Sequence, residues 1–184
     1  DPALVYENYE GGSAKLDLCI ELIQSAVESG HKILLFSQFT SMIEILTARL
    51  QEESISCFVL QGSTKKEQRA QMVEQFNRDD TSVFCISLKA GGTGLNLTGA
   101  DIVIHYDPWW NVAVENQATD RAHRIGQKNV VTVYKLIAKG TIEEKIIKLQ
   151  QMKKELAEEI LSGDEIKTAS FQREELLELL EERF

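Results

Sequence analysis

Residues 87–127 collect most of the side chains that could do chemistry. Gln117, Arg121 and Arg124 are spaced by four and three, which places all three on one face of a helix expected over residues 111–125. Two guanidiniums on one face repel unless an anion lies between them, and arginines so held can stabilise charge in phosphoryl transfer. Surface ion pairing with Asp120 is the plainer alternative. Ahead of them, Ala90-Gly91-Gly92-Thr93-Gly94 follows an apolar run, where an α/β sheet places its ligand crevice. The loop matches neither the dinucleotide fingerprint nor a Walker A motif, because no Gly-Lys-Ser/Thr occurs anywhere. It is either a tight turn or a close backbone approach to phosphate.

Trp109 and Trp110 lie between Asp107-Pro108 and Asn111, in a loop expected at a strand end. One indole facing the core and one facing solvent fits that position. Lys65, Lys66, Arg69 and Lys89 start a helix or follow strands, so they could share one rim as an anion-binding set or stand as solvated charge. His31, His105 and His123 have no ligand spacing, and no metal site is read. Cys19, Cys57 and Cys85 sit singly in apolar contexts, as buried free thiols of a reducing compartment do.

The elements that must position these residues alternate. Apolar runs at residues 32–37, 56–60, 82–86, 101–106 and 130–137 read as strands. Helical periodicity covers residues 13–29, 41–50 and the segment after Thr64, where Thr64 and Glu67 suggest a capping box. The expected class is α/β, a parallel sheet with flanking helices over residues 13–140. Residues 1–12 read as a linker or strap. Residues 141–161 form a long helix with a stripe of Ile142, Ile146, Leu149, Met152, Leu156 and Ile160. Residues 162–184 are an extension with a short acidic helix over 174–181.

The 184 residues carry a net charge of −9 and 43% hydrophobic content, enough for one cored domain plus a tail. That charge argues against nucleic acid, but its distribution does not. Residues 141–184 hold seven basic and twelve acidic residues, whereas residues 117–140 hold five basic residues against one acid. A locally basic face on an acidic body can bind phosphates. No apolar run approaches membrane-spanning length, so no membrane partner is expected. The chain starts at Asp1, and a longer parent protein is expected.

Taken together, SLKAGGTGLNL, DPWWN and QATDRAHRIGQ resemble motifs five and six of the Swi/Snf helicase-related ATPases, the superfamily-two DNA translocases of chromatin remodelling and their prokaryotic relatives. LLFSQFT resembles motif four, and LQGSTKKEQRAQMVEQFN the segment after it. The likeness covers about residues 12–150, and the uninterrupted motifs resemble prokaryotic members. It implies the second RecA-like lobe of a two-lobe motor, followed by a brace helix that packs toward the first lobe. ATP and Mg2+ would be held mainly by an N-terminal RecA-like lobe of the same protein, so this chain alone is expected not to hydrolyse ATP. The resemblance makes Arg121 and Arg124 the arginine fingers and Gln117 the motif-six glutamine, and puts Gly94 and Asn96 near the ribose.

For double-stranded DNA, the resemblance matches Lys89 and Trp110 to positions that touch the duplex. It puts Gln38, Ser63, Lys65, Arg69 and Ser87 in segments that follow one strand's phosphates. A DNA-bound protein is a further expected partner. The compartment would be cytoplasm or nucleoid for a prokaryotic member and the nucleus for a eukaryotic one. Val112 departs from the family's usual proline, which only preorganises a helix start. Two other readings compete. A nucleotide-binding or methyltransferase-like domain would need glycines after the first strand, where Ser37-Gln38-Phe39-Thr40 stands. A protein-interaction module could act through the acidic tail.

Overall fold

Continuous apolar runs suit strands that are covered on both faces. The computed structural model describes residues 1–162 apart from 6–8, 10, 89, 91–93 and 125, with the side chains of residues 3 and 156–162 also outside the description. A 3-10 turn at Pro2–Leu4 precedes α1 (Ala14–Glu28), β1 (Ile33–Ser37), α2 (Thr40–Glu52), β2 (Cys57–Leu60), α3 (Lys66–Arg78) and β3 (Val83–Ser87). Then come β4 (Ile102–His105), α4 (Val112–Thr119), β5 (Thr132–Lys135) and α5 (Ile142–Ser162). The acidic segment at 174–181 lies outside the described residues.

All strand pairs are parallel, in the order β2-β3-β1-β4-β5. Every residue of β1, β3 and β4 is buried, as a sheet covered on both faces requires. Alternation sorts their side chains. Ile33, Leu35, Cys85 and Ile104 pack with α1 and α2 residues such as Ile23 and Leu46. Leu34, Phe36, Phe84 and Val103 face the opposite side, with Phe76 of α3 and Ala118 of α4. β5 is the exception. It is an edge strand, exposed along its length and shorter than the apolar run at 130–137 suggested. Cys19 and Cys85 are buried and Cys57 half-buried, all three as free thiols.

β1 is the centre of the switch: the chain leaves it for β2 and β3 on one side and reaches β4 and β5 on the other. The C-terminal ends of β1, β3 and β4 therefore open onto one crevice, the usual ligand position in such sheets. Two local expectations about the helices change. The proposed capping box does not form. Lys65 is the N-cap of α3 without a side-chain bond, because the Thr64 hydroxyl instead accepts the Gln61 N–H at 3.1 Å and closes the preceding turn. The helix expected to reach residue 125 stops at Thr119. Beyond it the Arg121 carbonyl accepts the Leu97 N–H at 3.0 Å, and the Ala122 carbonyl accepts Gln127 Nε2 at 3.2 Å. The Arg121 and Ala122 N–H groups have already dropped to i−3 bonds with Ala118 and Thr119, at 3.1 Å each, so the backbone runs in turns, and Gly126 takes φ 108°.

Phe84 is fully buried, with the rings of Phe58 and Phe76 at 5.8 and 5.2 Å. Phe84→Ala is expected to cost about 3–5 kcal/mol, read from the midpoint shift in urea unfolding.

Candidate functional site

Because α4 ends early, Gln117, Arg121 and Arg124 do not share one helical face. Gln117 is exposed on α4, Arg121 is 3% exposed in the following turn, and Arg124 is exposed beyond it. The two arginines are instead brought to the segment after β3. Arg124 Nη1 reaches the Gly94 carbonyl at 3.4 Å, and the Arg121 backbone holds Leu97. Asn77 of α3 fixes the same segment, donating to the Asn96 carbonyl at 2.8 Å and accepting the Gly99 N–H at 2.9 Å. Gly94 has φ 33° and open space where a Cβ would stand. An open cleft of about 780 Å3 lies alongside, lined by Lys66, Arg69, Asn77, Gly94 and Asn96 among others.

Burial, and then the neighbouring Arg124 charge, hold the Arg121 guanidinium below its ordinary value, with Asp120 opposing. Among the described residues its buried Nε has no hydrogen-bond partner and neither arginine has a carboxylate within ion-pair distance. An anion is the group that would relieve both conditions.

A second set lies at the ends of β1 and β4. Asp107, buried, accepts the Ser37 hydroxyl at 2.5 Å and the Gln38 N–H at 3.1 Å, tying the two strand ends together. Burial pushes its carboxyl up, while those hydrogen bonds pull it back. Trp109 packs half-buried on the second core cluster and Trp110 is 48% exposed, one indole in each direction. Ser63 and Lys65 are exposed in the β2–α3 loop. Two residues expected to meet phosphates are engaged inside the lobe. Ser87 is buried and accepts the Ala90 N–H at 3.3 Å. Arg69 donates to the carbonyls of Thr64, Ala90, Gln61 and Gly62 at 2.9–3.3 Å, which makes it a strut between two loops. Lys89 and Gly91–Thr93 lie outside the described residues.

The family described as "Helicase conserved C-terminal domain" matches residues 14–126. The chain belongs to that family. It is 47% identical over 92% of its length to an uncharacterized ATP-dependent helicase of Mycoplasma pneumoniae, covering 16% of that protein. It is 43% identical over 91% of its length to the human chromatin-remodeling ATPase INO80, covering 11% of it. The crystal structure of the C-terminal part of the Fun30 ATPase domain superposes with a TM-score of 0.73 at 37% identity, covering 79% of this chain and 48% of that one. These relatives are Swi/Snf-type ATPases, and the RecA-like architecture expected from the motifs is the one observed. The chain spans between 11% and 16% of the length of the curated relatives of Mycoplasma and human origin that it matches.

The residue of this helicase lobe that sequence reasoning missed is Glu115. It is 1% exposed; Oε1 accepts the Trp109 N–H at 2.6 Å and Gln150 Nε2 at 3.2 Å, and Oε2 meets Lys135 Nζ at 2.5 Å. One carboxylate thus joins the tryptophan loop, α4, β5 and α5. A signal was available: Glu115, Ala118 and Ala122 fall on one helical row, and a charge in an apolar row needs a buried partner.

Burial pushes the Glu115 carboxyl up, but Lys135, Trp109 and Gln150 together bring it below its ordinary 4.5. Below that value the unfolded chain takes up a proton the folded one does not, so the stabilisation present above it is lost as pH falls. Glu115→Gln is expected to cost about 1–3 kcal/mol at neutral pH and to flatten the acid-side loss, measured by urea titrations above and below that value.

Proposed function

We propose that this chain is the C-terminal motor lobe of an ATP-dependent double-stranded DNA translocase or remodeller. It would supply half of a split ATPase site and part of the DNA grip. The observation that carries the reading is the arginine pair: Arg121 buried with an unpartnered Nε, and Arg124 beside it on the Gly94 carbonyl. Their mutual repulsion and the open backbone at Gly94 suit a polyphosphate delivered by another domain. ATP use agrees with the ATP-dependent helicases among the relatives. ATP would supply the driving free energy, with Mg2+ on the N-terminal lobe. Arg121 and Arg124 would stabilise the charge of the transferring phosphoryl group once the lobes meet, and Gln117, Gly94 and Asn96 would line the nucleotide.

On the DNA side, exposed Trp110, Ser63 and Lys65, with Gln38 and Lys89, would meet the duplex. Phosphate contacts of this kind suit a motor that must ignore sequence. Arg69 and Ser87 would act on DNA through the loops they hold. Lobe closure would complete the active site and shift this grip relative to the other lobe, stepping along one strand.

In the complete protein, Arg121→Ala or Arg124→Ala is expected to cut DNA-stimulated ATP hydrolysis about a thousand-fold or more while leaving duplex binding mostly intact. A phosphate-release assay and a binding titration on the same preparations measure both. Loss of DNA binding with hydrolysis preserved would place the arginines on the DNA surface instead.

A further inference from the structure

We propose that the cleft between α4 and α5 is an additional phosphate-binding contact, in which Lys153 and Lys154 of α5 grip the backbone of duplex DNA beside Trp110. The proposal rests on the translocase reading and extends its DNA track onto the long helix. Trp110, Asn111 and Asn116 from one side and Gln150, Lys153 and Lys154 from the other enclose about 620 Å3. Spacings of three and four from Gln150 put both lysines on one helical face.

Charge singles this cleft out. None of its seven described lining residues is acidic, although the chain carries a net charge of −9. Each of the other three described clefts contains a carboxylate: Glu74 beside Gly94, Glu74 with Asp79 on α3, and Asp101 near His31. Two ammonium groups, three side-chain amides and an exposed indole form a set that favours a phosphodiester with its attached sugar. A lysine ammonium attracts phosphate as a point charge, indifferent to base sequence, as a translocating grip needs.

The site is also built rather than incidental. Gln150 donates to the Trp109 carbonyl and to Glu115 Oε1, so α5 is pinned to the tryptophan loop one turn before the lysines. The same buried carboxylate that seats Trp109 therefore sets the spacing between Trp110 and Lys153.

The test is duplex affinity of the complete protein over a salt series, by fluorescence anisotropy. Every phosphate that a variant no longer neutralises lowers the slope of log affinity against log salt by about 0.9. The K153A/K154A double variant is expected to lower it by about 1.8, and K153R/K154R to restore it. An unchanged slope in the alanine variant, with the unaltered protein binding DNA, overturns this inference alone. Failure of the unaltered protein to bind duplex DNA overturns the translocase reading with it.

Discussion

A carboxylate with 1% exposure persists in a fold only when its surroundings replace water, and Glu115 is so surrounded. A backbone N–H from the preceding loop, and an amide and an ammonium from elements 35 and 20 residues away, converge on its two oxygens. Trp109 cannot shift, nor α5 slide, nor edge strand β5 pull away, without stripping a partner from a buried charge. Among the described residues β5 has few other anchors, since its residues are exposed and it pairs with β4 alone. The Lys135 ion pair thus holds an otherwise lightly attached strand to the helix that leads into the arginine turn.

Asp107 plays the corresponding part at the strand ends. By accepting from both Ser37 and Gln38 it ties the β1 and β4 termini into one rim, from which Trp110 projects while Trp109 packs inward. On the other side of the crevice, Arg69 braces the β2–α3 loop against Ala90, and Asn77 fixes residues 96–99. The segment from Ser87 to Gln127 therefore carries two kinds of residue. A few are left exposed or unpartnered, among them Trp110, Arg124 and the Arg121 Nε. More are engaged inside the lobe, where they aim the first group. α4 links the arginine turn to the tryptophan loop through the bond from Trp109 N–H to Glu115, and on the proposed reading this is the route by which phosphate chemistry would be coupled to DNA grip.

The parallel α/β class was readable because buried strands write continuous apolar runs, and β1, β3 and β4 do so. The arginines were readable by type, but the spacing that put them with Gln117 on one helical face did not hold, because α4 stops at Thr119; one indole in and one out followed from the position of Trp109-Trp110 in a strand-end loop. The end of α4 was not readable, because the turns that follow it are held by Leu97 and Gln127, contacts that no helical periodicity carries. The struts were missed for a similar reason. Arg69 looks like a phosphate contact in sequence because its basic charge is visible and the four carbonyls that engage it are not. The Thr64 capping box failed because a turn competed for the same hydroxyl.

On the proposed reading, residues 87–127 join an ATP-facing surface to a DNA-facing one, and the bond between Glu115 and the Trp109 N–H leads to Trp110. The most direct measurement is the number of ATP molecules hydrolysed per base pair moved by the complete protein carrying Trp110→Ala. Trp110 is exposed and outside the arginine turn, so hydrolysis stimulated by DNA should persist while movement falls, and the ratio should rise. An unchanged ratio with normal translocation would leave Trp110 a surface residue without a share in the motor and contradict a link between the two faces.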